Sequence, residues 1–324
     1  DHQARNRCVI KLKARNKLTP TTGGGQLGAP FKKKRKKESL ILLAMAFPAF
    51  AIYAFLYLYP SLSNLRYSTT RWDGVTEPIQ IGLRNFTYLL TNDDLFLKVL
   101  GNNFKFSLIV VIFQTGFALL FATFLVKNTK VTIFLRTLYF FPTILSSVSV
   151  GLIWNFLYDP NFGFINASLK FFGLDFLAKN WLADPTLSLY AIAVTQVWFH
   201  TGQMVIIYVA GLQQIPTDLY EAAEVDGASR WQQFKSVTWP MALPTTAVVV
   251  AYTTIQTFRA FDLVFSMAQP ASLNGSDLLV NLVYNSAFVG YKFGYAAAQS
   301  IYLVILVLLV TWLQRRVLKS KTES

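Results

Sequence analysis

The stretch EAAEVDGASRWQQFKSVTWPMALP, residues 221–244, is polar and amphipathic, yet it lies between two runs of sequence that are apolar enough to cross a membrane. Residues 221–225 are mostly good helix formers, and Thr217 or Asp218 stands where a residue can cap the start of that helix. Gly227 then breaks the helix, because glycine adopts backbone conformations that other residues avoid. The pattern predicts a short helix followed by a tight turn.

A second, amphipathic helix is predicted directly after the turn. Trp231, Phe234 and Val237 share one stripe at helical spacing, as in a helix that buries one face. Pro240 is expected to end this helix or to begin the next membrane span, where its missing N–H costs little. On these grounds alone, the segment could be an interfacial helix that only connects two spans.

The whole chain of 324 residues is too apolar for a soluble protein, because 53% of its residues are hydrophobic, 15% are aromatic and the mean hydropathy is +0.40. A helix needs about 20 apolar residues to cross about 30 Å of hydrocarbon. Continuous apolar runs argue against a β-barrel, whose strands alternate in polarity. The prediction is an all-α integral membrane bundle of six transmembrane helices, at Leu40–Tyr59, Phe104–Val126, Phe134–Tyr158, Ser188–Leu212, Pro240–Met267 and Ala296–Leu313.

The distribution of lysine and arginine predicts the orientation of the bundle. Twelve basic residues precede the first span, and further basic residues follow the second and the last spans, whereas the other loops are close to neutral. Both termini and the loop at 215–239 are therefore expected in the cytoplasm. The predicted domains are a basic cytoplasmic tail at 1–39, a transmembrane domain at 40–316 and a C-terminal cytoplasmic tail at 317–324.

The net charge of +14 comes mostly from the N-terminal tail, beside a membrane span. Membrane topology and anionic lipid explain such a tail better than nucleic acid does, so membrane lipids are an expected partner and nucleic acid is not. Cys8, the sole cysteine, has no partner for an internal disulfide.

Motifs for catalysis within this chain are missing from the sequence. There is no P-loop motif, no HExxH and no GxSxG, and the chain has only two histidines. The sequence therefore predicts a protein that is not itself an enzyme and that has no metal site.

The stretch at 221–244 resembles the EAA signature of the integral membrane subunits of binding-protein-dependent ABC importers. It is most similar to the carbohydrate branch, the maltose and glycerol-3-phosphate importer permeases, whose pattern is EAAxIDGAxxWQxFxxITLPxLxP. The departures are apolar exchanges at Val225, Val237 and Trp239. FDLV at 261–264 and GYAAAQS at 294–300 also resemble the family, and the likeness covers about 102–313. The family's glycine-rich TGGGP is replaced by AQPAS, which puts that loop's contacts in doubt.

The resemblance implies the bundle of a type I ABC importer permease, with a cytoplasmic coupling helix in the loop at 215–239. A coupling helix docks in a cleft on an ATPase, and glycine permits the close backbone approach that docking needs. Trp231 and Phe234 are expected to hold the loop against the chain's own helix ends. The residues expected to couple to the ATPase are Glu221, Ala222, Ala223, Asp226, Gly227, Ala228, Trp231 and Pro240.

The same resemblance implies partners in a bacterial cytoplasmic membrane. They are a second homologous permease, a dimer of ABC ATPases and an extracytoplasmic solute-binding protein. No cofactor is expected in this chain, since ATP and Mg²⁺ bind to the partner ATPase.

Polar residues inside the predicted spans are candidates for a translocation pathway, because ionisable groups that face lipid are costly. They fall on stripes of the third, fourth and fifth spans, and amides, hydroxyls and aromatic rings suit a sugar. Three of them have structural alternatives: Arg259 and Asp262 could neutralise each other, and His200 could be a packing residue. The candidates are Asn155, Tyr158, Gln196, His200, Gln203, Tyr252, Gln256, Arg259 and Asp262.

Two other functional classes stay open at this point. A secondary transporter would need ion-coupling carboxylates within the spans, where Asp262 is the one candidate, and a membrane-embedded lipid-modifying enzyme would need a catalytic cluster. The residues do not choose the saccharide. An anionic oligosaccharide such as alginate is one candidate, for which Arg259 and His200 would balance the charge.

Overall fold

The computed structural model describes residues 44–268 and 275–322, with side chains up to Arg316. The predicted N-terminal tail at 1–39, Cys8 and most of the AQPAS loop lie outside the described residues. The chain divides after Pro60 into two units, which are described separately. Within the described part, the elements are α1 (Ala44–Tyr67), β1 (Thr70–Arg71), β2 (Ile79–Gln80), α2 (Arg84–Thr91), α3 (Asp94–Leu125), α4 (Lys130–Phe140), α5 (Ser147–Leu157), α6 (Phe164–Phe171), α7 (Ser188–Leu212), α8 (Thr217–Val225), α9 (Arg230–Gln233), α10 (Trp239–Phe258), α11 (Asp262–Met267), α12 (Leu279–Tyr284) and α13 (Phe293–Thr322).

The described part of the first unit, 44–60, is apolar helix and belongs to α1. Its aromatic residues stack one turn apart, with ring centroids 5.3 Å apart for Tyr53 and Tyr57. The first predicted span lies at this helix, which runs on to Tyr67 rather than ending at Tyr59.

The second unit begins with a small hairpin in which β1 and β2 pair antiparallel. The turn between the strands is held by Asp73, whose Oδ1 accepts hydrogen bonds from the N–H and hydroxyl of Thr76 and from the N–H of Val75. These bonds lower the pKa of Asp73 to about 2, because they stabilise the ionised carboxylate. The turn is therefore fully formed at neutral pH.

Helices α3 and α7 form the centre of the second unit. Asp93 caps the start of α3 by accepting from the N–H of Phe96 at 2.9 Å. Small and apolar residues of both helices are buried where they meet, including Ala118, Ala122, Met204 and Val205. In a membrane, close van der Waals packing of such small and apolar side chains, rather than removal of apolar surface from water, stabilises the contact between two helices.

The third predicted span is a broken one. Helix α4 continues as a 3-10 turn at Phe141–Ile144, and α5 leaves it at an angle of 96°. Pro142 lies in that turn and Leu145 is extended (ψ 155°), so regular helix hydrogen bonding stops there. The predicted span at Phe134–Tyr158 therefore corresponds to a bent helix pair and not to one continuous helix.

The fifth predicted span is shorter than expected. Helix α10 ends at Phe258, a turn follows, and α11 is a separate short helix. In the turn, the N–H of Phe261 donates to the carbonyl oxygen of Arg259 at 2.8 Å. This bond joins residues only two positions apart, as in a γ-turn, so the α-helix does not continue through it. The prediction of one helix over Pro240–Met267 was wrong in this last part.

Four described helices are long and apolar enough to cross a membrane, namely α1, α3, α7 and α13, or five if the bent α4–α5 pair counts as one span. This confirms a helical membrane bundle, whereas six spans exceed the number found by length and composition. Helix α10 has the length but also carries threonines and glutamine buried against other helices, such as Thr253, Thr254 and Thr257.

Candidate functional site

A cavity of about 440 Å³ lies between α5, α7, α10 and the start of α11. It contains six of the nine predicted pathway residues. Two of the six, Arg259 and Asp262, carry opposite charges, and the other four have amide, phenol or imidazole side chains. The lining is Ser147, Gln196, His200, Tyr252, Ile255, Gln256, Arg259, Ala260, Phe261, Asp262 and Leu263.

Helical spacing explains why the polar residues meet. Gln196 and His200 are four residues apart on α7, and Tyr252 and Gln256 are four apart on α10, so each pair lies on one helix face. The helices also exchange hydrogen bonds beside the cavity. The amide nitrogen of Gln203, on α7, donates to the hydroxyl of Tyr252, on α10, at 2.9 Å. This bond ties the two helices to each other.

Gln114 of α3 is a polar residue in mid-span that the sequence analysis did not select. Its Nε2 donates to Oε1 of Gln256 at 3.3 Å, and its side chain is fully buried. The signal for it was present, because a glutamine within an otherwise apolar run is costly unless it has a partner. Gln114 thus orients the side chain of Gln256, although Gln114 itself is not part of the cavity lining.

Arg259 and Asp262 both line the cavity and do not pair with each other. Among residues 44–268 and 275–322, neither side chain takes part in a hydrogen bond or an ion pair. Arg259 follows the C-terminus of α10, and Asp262 is the first residue of α11. Each charge is therefore placed at a helix end whose partial charge has the opposite sign, which favours it without an ion pair.

Asn155 and Tyr158 lie outside the cavity lining. Nδ2 of Asn155 donates to the carbonyl oxygen of Ser266 at 2.6 Å. The hydroxyl of Tyr158 donates to the carbonyl oxygen of Ala191 at 3.1 Å. Both side chains hold α5 against its neighbours. The chain bends by 96° before α5, and of the polar residues on this helix only Ser147 lines the cavity.

Several apolar lining residues come from the turn after α10 and were not predicted. Phe261 and Leu263 reach the cavity because α10 ends at Phe258 and the chain turns at Arg259 before α11 begins. No sequence signal marked the break, since the residues from 258 to 262 include neither glycine nor proline. The cavity consequently combines amides, hydroxyls and the aromatic rings of Tyr252 and Phe261 with apolar walls.

Chemically, this lining suits a polyhydroxylated molecule. Amide and hydroxyl groups donate to and accept from hydroxyls, while aromatic and aliphatic side chains contact C–H faces. In the described part of the chain, no group of three or more His, Cys, Asp or Glu side chains comes close enough together to hold a metal ion.

The second candidate region is the helix–turn–helix segment, defined here as residues 217–238. Helix α8 ends in a Schellman motif: the N–H of Ala228 donates to the carbonyl of Ala223 at 2.9 Å, and the N–H of Gly227 to that of Glu224 at 3.0 Å. Gly227 has φ +78°, a left-handed conformation that glycine adopts at little cost. The predicted turn at Gly227 is confirmed.

The caps of the two helices differ from those expected. The residue before α8 is Pro216, so Thr217 and Asp218 lie inside the first turn and do not cap it. Ser229 caps the second helix in a capping box, in which its N–H donates to Oε1 of Gln232 at 2.7 Å and its Oγ accepts from the N–H of Gln232 at 3.4 Å.

Pro240 lies in the first turn of α10, as one of the two expectations had it, but no break in the helical path separates α10 from the helix before it. Helix α9 runs through a π-helical turn at Phe234–Thr238 directly into α10. In that turn the N–H of Trp239 donates to the carbonyl of Phe234, which widens the helix just before the proline ring and relieves its clash with the preceding turn. The segment is thus joined rigidly to a helix that lines the cavity.

One face of the segment packs on the bundle and the other is exposed. Tyr220, Phe234 and Val237 pack against the buried cluster around Leu212 and Ile215. Trp231 is 70% exposed and stacks on Phe234, so the expectation that it fixes the segment to the helix ends was wrong. The other residues expected to couple to an ATPase also lie at the surface: Glu221, Ala222, Asp226, Gly227 and Pro240 are exposed, and Ala223 and Ala228 are half-buried.

Comparisons with known proteins agree with this geometry. Residues 114–322 match the family described as "Binding-protein-dependent transport system inner membrane component", a range that includes the cavity and the helix–turn–helix segment. The chain is 30% identical over 280 residues to the probable ABC transporter permease protein YurN of Bacillus subtilis, covering 86% of this chain and 95% of that protein.

A second relative is the multiple sugar-binding transport system permease protein MsmF of Streptococcus mutans, 30% identical over 264 residues that cover 81% of this chain and 90% of that protein. Among solved structures, the fold is similar to a chain of a bacterial alginate ABC transporter in complex with an alginate pentasaccharide-bound periplasmic protein. The TM-score is 0.78 and the identity 23%, with 90% of this chain and 98% of that chain covered. This likeness establishes the fold of the bundle.

Proposed function

The chain belongs to the family of binding-protein-dependent transport system inner membrane components, and from that premise we propose that it is the permease subunit of an ATP-driven ABC importer for a carbohydrate. The observation that carries this proposal is that the matched range holds both a polar cavity and an exposed helix–turn–helix segment, joined by one continuous helix path. The proposed role is conduction of substrate, without catalysis by this chain.

The lining of the cavity supports a carbohydrate as the substrate. Gln196, Tyr252 and Gln256 offer amide and hydroxyl groups, and Phe261 offers an aromatic face. The names of the relatives point the same way, since MsmF belongs to a sugar-binding transport system and the structural neighbour to an alginate transporter. The opposite charges of Arg259 and Asp262 do not choose between a neutral and an anionic saccharide.

The helix–turn–helix segment is proposed to couple this chain to an ATPase. Its exposed side chains include Glu221 and Val225, and Val225 is 88% exposed although it is apolar. An apolar side chain beside an exposed left-handed turn fits insertion into a cleft of another protein. ATP and Mg²⁺ are proposed to bind that partner ATPase, and this chain is proposed to hold no cofactor.

The complete importer is proposed to contain two further proteins besides the ATPase dimer. A second, homologous permease would form the other wall of the pathway, because the cavity residues Arg259 and Asp262 are exposed in the single chain. A solute-binding protein would deliver the saccharide from outside, as the structural neighbour was solved with a periplasmic protein.

Six spans and a cytoplasmic location of both termini remain part of this proposal. The sixth span is α10, whose 20 residues are enough to cross about 30 Å of hydrocarbon. Its low hydropathy follows from threonines that face α3 and α13, such as Thr257, which donates to Ser107 at 2.9 Å, and Thr254, which accepts from Gln314 at 2.8 Å. Both would be satisfied inside the bundle.

Transport is proposed to follow alternating access. ATP binding would close the ATPase dimer and move the helix–turn–helix segment, and α10 would carry that movement to the cavity because the π-helical turn leaves no flexible joint between them. Hydrolysis would return the cavity to its inward-open form.

The experiment uses the complex that co-purifies with the tagged chain, reconstituted into proteoliposomes. We expect carbohydrate-loaded binding protein to raise ATP hydrolysis and uptake together, and Glu221→Ala to abolish both without loss of the chain from the membrane. Uptake by the purified chain alone, driven by an ion gradient, would instead indicate a secondary transporter and overturn the proposal.

A further inference from the structure

The end of α3 leaves carbonyl groups that the helix itself cannot satisfy, at Leu125, Val126 and Lys127. Donors from two other elements bond to them. Nε and Nη2 of Arg136, on α4, donate to the carbonyl of Leu125, with Nε at 2.8 Å, and Nη2 also donates to that of Lys127 at 3.0 Å. The amide of Gln213, which follows α7, donates to the carbonyl of Val126 at 3.0 Å.

Asn128 joins these two donors. Its Oδ1 accepts from Nη1 of Arg136 at 3.0 Å and from Nε2 of Gln213 at 3.1 Å. Both amide hydrogens of Gln213 are thereby used, one on Val126 and one on Asn128. Arg136, Asn128 and Gln213 are called the carbonyl clamp below.

The carbonyl clamp lies at the start of the helix–turn–helix segment. Gln213 is separated from Thr217, the first residue of α8, by only three residues, and one of them, Ile215, is buried in the cluster that also contains Leu125 and Leu212. A displacement of α8 therefore pulls on Gln213 before it reaches any cavity residue of α7.

A helix end needs no link to other helices to satisfy its carbonyls, because glycine motifs or a lysine in the last turn are sufficient. Here the donors come from α4 and from the end of α7, so the bonds connect three elements. Hydrogen bonds fix relative direction more closely than apolar contacts do, since they depend on angle as well as distance. Arg136 is one of the basic residues that follow the second predicted span. In the structure its guanidinium also bonds to these carbonyl groups.

We propose that the carbonyl clamp positions the helix–turn–helix segment relative to α3 and α4, so that movement of the segment also moves the bent α4–α5 pair and with it Ser147 at the cavity. This inference rests on the proposed function, because it assigns a route for the force that the ATPase applies. Arg136, Asn128 and Gln213 are positioning residues in this route and do not touch the substrate.

The test measures the number of saccharide molecules taken up per ATP hydrolysed by the reconstituted complex. The probe is whichever of maltotriose, diacetylchitobiose and an alginate trisaccharide raises hydrolysis most. Gln213→Ala and Asn128→Ala are each expected to lower this ratio about tenfold, within the range by which changes along a contact network alter coupling. The double variant is expected to fall by less than the two single effects combined, because both changes break the bond that Gln213 and Asn128 share.

Gln214→Ala is the matched control. It removes the same type of side chain one position along, and that side chain makes no hydrogen bond within residues 44–268 and 275–322. Its uptake per ATP is expected to equal that of the unmodified complex. Gln213→Glu provides a second variant of nearly unchanged size, which places a carboxylate against the carbonyl of Val126 and is expected to lower the ratio as Gln213→Ala does.

An unchanged ratio in Gln213→Ala and Asn128→Ala would overturn the inference, and so would a parallel fall of uptake and hydrolysis, which indicates only a structural role. Failure of the proposed function looks different. In that case the unmodified complex would import the saccharide without hydrolysing ATP, whatever residue stands at 213.

Discussion

The backbone N–H of Ala228 donates to the carbonyl oxygen of Ala223 at 2.9 Å, which closes the turn between α8 and α9. The bond requires the left-handed conformation of Gly227, the residue between α8 and Ala228 at which the chain turns. The shape of the exposed end of the helix–turn–helix segment therefore depends on a single backbone angle.

Gly227→Val is predicted to abolish uptake, because a β-branched residue is strained at φ +78° and the turn would open. Gly227→Asn is the matched control and is expected to keep most of the activity, since asparagine tolerates this conformation better than other residues. A Cβ at this position meets no atom within 4 Å in the single chain, so the backbone angle and not a steric clash is what distinguishes the two variants. Equal uptake by the two variants in proteoliposomes would contradict this prediction.

Gly202→Ala is predicted to destabilise the bundle by about 2 kcal/mol or more, as overpacking does. A Cβ at Gly202 would lie 1.8 Å from the carbonyl oxygen of Tyr139, which belongs to the backbone of α4. Gly116→Ala, on α3, meets no atom within 4 Å and is expected to be neutral or to stabilise its helix. Thermal unfolding in detergent measures both, and an unchanged midpoint for Gly202→Ala would refute the close contact.

Tyr252→Phe is predicted to raise the KM for saccharide uptake severalfold, because it removes the hydroxyl that accepts from Gln203 and lines the cavity. Tyr190→Phe serves as the control. Tyr190 is half-exposed on α7, and its hydroxyl makes no hydrogen bond with the described residues. If both variants change KM equally, or neither does, the cavity assignment loses its support.

Arg259→Gln and Asp262→Asn are predicted to have additive effects on the free energy of saccharide binding, within about 0.5 kcal/mol. The reason is that the two side chains do not form an ion pair in the described part of the chain. Competition binding to reconstituted complexes of the unmodified chain, the two single variants and the double variant gives the four affinities needed. A coupling energy well above that limit would mean that the two charges neutralise each other, as their spacing in the sequence also allows.

Local periodicity was enough to predict the residues that meet in the cavity from α7 and α10. Gln196, His200, Tyr252 and Gln256 follow the spacing of one helix face, and that spacing is independent of the surrounding bundle. The predicted span Ser188–Leu212 matched α7 in both bounds, because the run contains no charged residue and no proline.

What could not be predicted depends on tertiary structure. The 96° bend before α5 turns Asn155 and Tyr158 away from the cavity lining, and the break after Phe258 brings Phe261 and Leu263 into it. Trp231 has the spacing of a buried residue, yet of its stripe only Phe234 and Val237 pack against the bundle, and Trp231 stays 70% exposed. The count of membrane spans was likewise affected by tertiary structure, since Thr254 and Thr257 lower the hydropathy of α10 and bond to residues of neighbouring helices.

The most direct test of the central claim, that the helix–turn–helix segment transmits force from a cytoplasmic ATPase, is thiol accessibility at one position. Val225→Cys in a Cys8→Ser background places a thiol on a side chain that is 88% exposed in the single chain. We predict that a membrane-impermeant maleimide leaves it unlabelled in intact cells, and labels it in inverted vesicles only after the ATPase subunits have been stripped. Labelling in intact cells, or equal labelling with and without those subunits, would contradict the account.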